Sequence, residues 1–301
     1  MTGALIAVGP KVEFSMKQRN GVAPDKNKPW EHDRMEPPYE AQISQAILSA
    51  YTRKLSRSLE SDIVIVGAGP SGLIAAHDFA KHGLRVTIVE KRLSPGGGIW
   101  GGAMGMNDVV LEPEILPILE EFGIRHERGV EGLYTVDAAE LASVLCAKAL
   151  QAGAVLLNLT TVEDVCVLDG AVTGVVVNRT FLSEALPIDP LTLIARTVVD
   201  ATGHEAAVVE MLRRRNLLDP SQTDVLPGEG PMDALQAEKF VVERVAEVFP
   251  GLWVSGMAVC ATFNGPRMGP IFGGMLLSGR RAAELAIAQH TQRKELAVQK
   301  K

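Results

Sequence analysis

Two apolar runs joined through a glycine-rich turn and a helix constrain this chain more than any other feature. Residues 62–91, "DIVIVGAGPSGLIAAHDFAKHGLRVTIVEK", read as strand, tight turn, helix and second strand, a βαβ unit of about 30 residues. Gly67, Gly69 and Gly72 stand at GxGxxG spacing directly after the first apolar run. The first permits the tight turn, the second lets backbone approach a pyrophosphate, and the third allows helix to pack on strand. Glu90 ends the second strand, where a carboxylate accepts hydrogen bonds from an adenosine ribose. It favours a free 2′-hydroxyl over a 2′-phosphate, because two anions repel there, so the site is read for NAD or FAD and not NADP. The stretch that follows, "LSPGGGIWGGAMGMN", has five glycines within residues 96–102. That density suits neither a packed helix nor a strand, and a loop lying close over the nucleotide is expected.

The rest of the chain agrees with an α/β protein. Hydrophobic residues make up 47% and charged residues 22% of 301 residues, enough apolar side chain for a sizeable core. A net charge of −6 argues against a nucleic-acid partner. Cys146, Cys166 and Cys260 form no CxxC pair and outline neither a disulfide framework nor a zinc site, which suits a reducing compartment. The opening "ALIAVG" lacks a basic flank and is short for a signal sequence, and no apolar run approaches ~20 residues. A cytoplasmic protein without a membrane partner is expected.

Residues 1–40 are polar and proline-bearing and read as an extended arm. Residues 41–60 place Ile43, Ile47, Leu48, Tyr51 and Leu55 on one stripe of an amphipathic helix. Beyond the βαβ unit, helices are expected near 112–122 and 137–152, then strands that turn at Asp169 and Gly170, then strands over 192–200 and 251–259. The expected architecture is α/β: a Rossmann-like dinucleotide-binding fold of the glutathione-reductase type over residues 41–301, with an inserted β-rich subdomain at about 154–200.

At this point four stretches together resemble the thiamine thiazole synthase family, in order, over about residues 42–290. They are "ESDIVIVGAGPSGLIAAHDFAKHGLRVTIVEKRLSPGGGIWGGAMGMN", "IDPLTL", "DATGH" and "NGPRMGPIFGGMLLSG". The "GGGIWGG" loop after "VEK" and "GPRMGPIFGGM" are the specific ones, and the arm lies outside the match. The resemblance implies a transferase that consumes NAD as a substrate. Nicotinamide leaves, the ADP-ribose opens and rearranges, glycine condenses with it as an imine, and sulfur is added. Cyclisation and dehydration then give ADP-5-ethyl-4-methylthiazole-2-carboxylate, the precursor of the thiazole half of thiamine. The first glycine loop would hold the ADP and the second the reacting end.

By the same resemblance the nucleotide contacts fall on Ser71, Glu90, Lys91, Gly98, Val162 and Met257, with Pro187, Ile188 and Asp189 of "LPIDP" beside them. The glycine carboxylate contact falls on Arg267, whose planar fork suits a carboxylate. Asp189 and His204 match the family's Fe(2+) ligands, which meet across neighbouring protomers of a homo-octamer. One hard oxygen and one imidazole leave positions open for substrate atoms. His32, His77, His82, His126 and His290 are read as ordinary structural histidines.

The chain departs from the family at Pro187. One branch has a cysteine two positions before the aspartate and surrenders its own sulfur once; another has histidine there and takes free sulfide. Proline has no sulfur, so the expectation is a catalytic, sulfide-dependent ADP-thiazole synthase, with Cys260 weighed as the other possible donor. Pro187 and Pro190 stiffen the segment between them. Two rivals remain: an FAD-dependent oxidoreductase of the same fold, against which the dense glycine loop argues, and a non-catalytic binder of NAD or ADP-ribose.

Overall fold

The computed structural model describes residues 38–181, 188–218 and 228–299, and the chain divides between Ile47 and Leu48 into two units. The arm expected at 1–40 lies almost wholly outside the described residues. The helix α1 (Tyr39–Ser58) comes first, with Tyr39, Ile43, Ile47 and Leu48 exposed. β1 (Glu60–Val66), α2 (Pro70–Lys81) and β2 (Val86–Val89) form the βαβ unit. Next come β3 (Asp108–Leu111), α3 (Leu116–Phe122), β4 (Glu127–Arg128), β5 (Tyr134–Asp137) and α4 (Ala138–Gln151). They lead to β6 (Val155–Leu157), β7 (Thr160–Leu168), β8 (Ala171–Arg179) and β9 (Leu191–Asp200). The chain continues through α5 (Ala207–Arg214), β10 (Gly230–Met232), α6 (Ala234–Glu243) and β11 (Ala246–Phe249). β12 (Leu252–Val254), α7 (Met257–Phe263), β13 (Pro266–Arg267) and α8 (Gly273–Gln299) complete it.

The main sheet runs β11, β12, β9, β1, β2, β6. β12, β9, β1, β2 and β6 are parallel, and β11 lies antiparallel on β12. A central parallel strand is covered on both faces, which is why β1 reads as a continuous apolar run and not an alternating one. Ile63, Val64 and Ile65 are all fully buried. α2 sits close because glycines remove side chains at its contacts. A Cβ on Gly72 would lie 2.1 Å from the Gly67 carbonyl oxygen, and one on Gly279 of α8 would lie 2.2 Å from that of Ser71.

β9 joins two kinds of pairing. Ile194–Asp200 lie parallel to β1, while Leu191–Ile194 pair antiparallel with β8. Of residues 154–200, read from the sequence as an insertion, β6 and β9 are strands of the main sheet, and β7 and β8 form a hairpin paired to the first half of β9. Its turn falls on Asp169 and Gly170, both at positive φ (50° and 74°), as the Asp-Gly pair requires. The strand expected over 251–259 stops at Val254. Gly256, at φ 66°, turns the chain into α7, which buries Met257 through Thr262. A helix apolar on every side has no period, so the pattern did not distinguish it from a strand. The small antiparallel sheet of β3, β5 and β4 was also not legible from the sequence. No helix among the described residues is long and apolar enough to cross a membrane.

Candidate functional site

The carboxyl ends of β1, β2, β9 and β12 open on one crevice, the place where ligands bind in open parallel sheets. It holds a cavity of about 500 Å3, within the range of small-molecule sites.

One end of the cavity is built from the first glycine loop. Gly67 turns at φ +101°, where a Cβ would strike the Ala201 carbonyl oxygen at 2.5 Å, so no other residue fits. Gly69 faces open space, with nothing within 4 Å of a Cβ placed there. α2 begins at Pro70, which has no N–H, and the N–H groups of Ser71 and Gly72 in its first turn have no intrahelical acceptor. With no acidic side chain in that turn, the positive end of the helix faces the cavity free for an anion.

Glu90 locks this end. Its Oε2 accepts the Ala68 N–H and its Oε1 the Arg92 N–H, both at 2.7 Å. A carboxylate has about four acceptor sites, so lone pairs remain for further donors. The second glycine cluster lies over the first loop as its composition suggested. Gly96 donates its N–H to the Ala68 carbonyl at 2.7 Å, and Gly97 packs against the Gly69 Cα. Lys91 is engaged at the mouth by Glu205, at 2.8 Å and 3.0 Å to the two carboxylate oxygens.

The other end is carried by the turn after β9 and by a short ribbon. Asp200, wholly buried, accepts four hydrogen bonds: from the Thr202 N–H and hydroxyl, and from the Val208 and Val209 N–H groups that open α5. Burial pushes its carboxyl up while those bonds pull it down. It pins the turn that presents His204. The His204 Nδ1 lies 2.6 Å from Glu229 Oε1. Glu229 leads into β10, which pairs with β13 and so places Arg267 at the cavity. Arg267 is exposed and makes no ion pair with any described residue. Met232, Met257, Met268, Phe272 and Met275 give this end an apolar wall.

Of the residues singled out in the sequence, Gly67, Gly69, Ser71, Glu90, Lys91, Gly98, Val162, His204, Met257 and Arg267 all line this one cavity. Gly72 lies beneath it. Asp189 and Ile188 do not line it; both are exposed just ahead of β9. Pro187 lies outside the described residues. His204 follows the far end of the same strand, so ten residues at roughly 3.3 Å each put about 30 Å of extended chain between Asp189 and His204. One chain does not bring this pair to one ion, and no cluster of three or more metal-binding side chains occurs among the described residues. Cys260 is fully buried in α7, and burial with the nearby Glu229 charge pushes its thiol up to about 12. A thiol held neutral in this way is a poor sulfur donor. Asp200 and Glu229 were not found from the sequence. Asp200 stands visibly at a strand end, but nothing local in the sequence marks Glu229.

A family model described as the Thi4 family matches residues 44–272. The thiamine thiazole synthase of Thermococcus kodakarensis is 51% identical over 245 residues, 81% of this chain and 96% of that protein. That of Thermotoga maritima is 51% identical over 244 residues, 81% and 95% respectively. The crystal structure of Thermovibrio ammonificans THI4 is similar with a TM-score of 0.79 at 44% identity, covering 84% of this chain and 98% of the other.

Proposed function

The chain belongs to the Thi4 family, and on that premise we propose that it makes the thiazole of thiamine from NAD, glycine and sulfide, releasing nicotinamide and turning over more than once per chain. The observation that carries this reading is a cavity with the first glycine loop at one end and His204 and Arg267 at the other. The ADP half of NAD lies along the α2 N-terminus, its pyrophosphate on the free N–H groups of Ser71 and Gly72 and its ribose on Glu90. Arg267 holds the glycine carboxylate, a fit of planar fork to planar anion that keeps the amine directed inward. Met257, Met268 and Phe272 give the reacting end a buried apolar floor.

His204 suits a divalent metal through its Nε2, since Glu229 occupies the Nδ1. His204 and Asp189 of a neighbouring copy would hold ferrous iron, which would supply a centre that orders the reacting groups. Sulfur comes from outside the chain, because Pro187 has none and Cys260 is buried.

An oxygen-free incubation with NAD, glycine and ferrous iron, with and without sulfide, tests the reading by counting ADP-thiazole product per chain by mass spectrometry. Several products per chain, formed only with sulfide, are expected. At most one product per chain, accompanied by conversion of a cysteine to dehydroalanine, would overturn the catalytic reading. No product despite bound NAD would overturn the synthase reading.

A further inference from the structure

His204 has a companion that none of its sequence neighbours supplies. Glu229 Oε1 lies 2.6 Å from the His204 Nδ1, and the ring makes no other hydrogen bond among the described residues. An ionised carboxylate only accepts, so in a neutral imidazole the proton sits on Nδ1 and the lone pair on Nε2. The two side chains differ in exposure: that of Glu229 is 13% exposed and that of His204 57%. The carboxylate is thus the sheltered, fixed member and the ring the presented one.

Glu229 is itself held from behind. Gly230, next in the chain, donates its N–H to the Gly265 carbonyl at 2.9 Å, and the β10 and β13 ribbon that starts there ends in Arg267. One small ribbon therefore sets the carboxylate behind His204 and the guanidinium beside it.

We propose that Glu229 is a positioning residue that fixes both the tautomer and the orientation of His204, holding its Nε2 lone pair out into the cavity for a divalent metal ion. The inference rests on the reading of His204 as a metal ligand. Without Glu229 the ring is free to rotate and to carry its proton on Nε2, and ligation then requires ordering the side chain and moving that proton. With Glu229 both requirements are met before the metal arrives.

The experiment uses the full chain in its natural assembly, labelled with 15N only at histidine, as wild type, Glu229→Ala, Glu229→Asp and His204→Ala. In the metal-free wild type, the solid-state 15N signals lost in His204→Ala identify His204. With the sample prepared at a pH where the imidazole is neutral, they are expected to show a protonated Nδ1 and a bare Nε2. Glu229→Ala is expected to populate the Nε2–H form, and Glu229→Asp to restore much of the original pattern. Equilibrium dialysis against ferrous iron without oxygen is expected to show a rise in Kd of roughly 10–100-fold in Glu229→Ala, with partial recovery in Glu229→Asp. Where Glu229→Ala melts early, Glu229→Gln replaces it; its amide both donates and accepts, so a mixed tautomer is expected. An unchanged tautomer in the folded variant, or an unchanged iron affinity where His204→Ala has lost it, would overturn the proposal. Iron affinity unchanged in His204→Ala would instead overturn the metal-ligand reading, and the metal-free tautomer would still decide whether Glu229 sets the ring.

Discussion

Arg267 stands at the reacting end of the cavity with no anion to pair with among the described residues. A permanent cation left unpaired in a lined cavity fits an anionic substrate group, which in the proposed function is the carboxylate of glycine. Arg267→Ala is expected to raise the KM for glycine by about 10–100-fold, the range of a charge-assisted hydrogen bond worth ~1.5–3 kcal/mol. NAD affinity, measured by calorimetry, should stay nearly unchanged; an equal loss there would move Arg267 to the nucleotide. Residues such as Gly67, Gly69 and Glu90 were legible because their chemistry depends on local spacing after a strand. Glu229 was not, because it is 25 residues from His204 and meets it only through the ribbon.

At the scale of elements, α2 packs on α8 and α4 and is tied to α3 by the Lys81–Glu121 ion pair. Gly279 is the close-approach point, and its Cβ would fall 2.2 Å from a backbone oxygen of Ser71, which cannot move without moving the nucleotide loop. Gly279→Val is expected to cost roughly 1–3 kcal/mol in a urea melt and to weaken NAD binding; wild-type values for both would show that α8 shifts freely. Elsewhere on these helices Arg280 bridges Asp78 and Glu121, and Lys81 also pairs with Glu121. Lys81 first, then Arg280, holds the Glu121 carboxyl down to about 2 from its ordinary 4.5. A lowered carboxyl stabilises the fold above its ordinary pKa and loses that contribution as pH falls through the folded value. Glu121→Gln should therefore be less stable than wild type by about 1 kcal/mol at pH 7, the surface exposure limiting the effect. The gap should narrow in melts at pH 3. A gap independent of pH would assign the loss to packing.

For the whole molecule, the distance along β9 is the deciding quantity. With about 30 Å of strand between Asp189 and His204, the proposed metal centre would need two copies of the chain. Asp189→Ala and His204→Ala are each expected to abolish iron-dependent synthesis, while co-expression of the two variants restores part of it, because mixed assemblies contain sites with both side chains intact. No recovery in verified mixed assemblies would remove the shared-site reading. The βαβ unit, its glycine turn and the hairpin turn were determined by the sequence itself, since strand, turn and helix signals act over a few residues of chain. So was the absence of a sulfur atom at position 187. Only the tertiary structure decided that "GMAVC" opens a buried helix, that Glu229 stands behind His204, and that Asp189 and His204 lie at opposite ends of one strand. Local spacing says what a segment can form; which residues meet across the chain depends on strand pairing and packing, and neither is written in any single stretch of it.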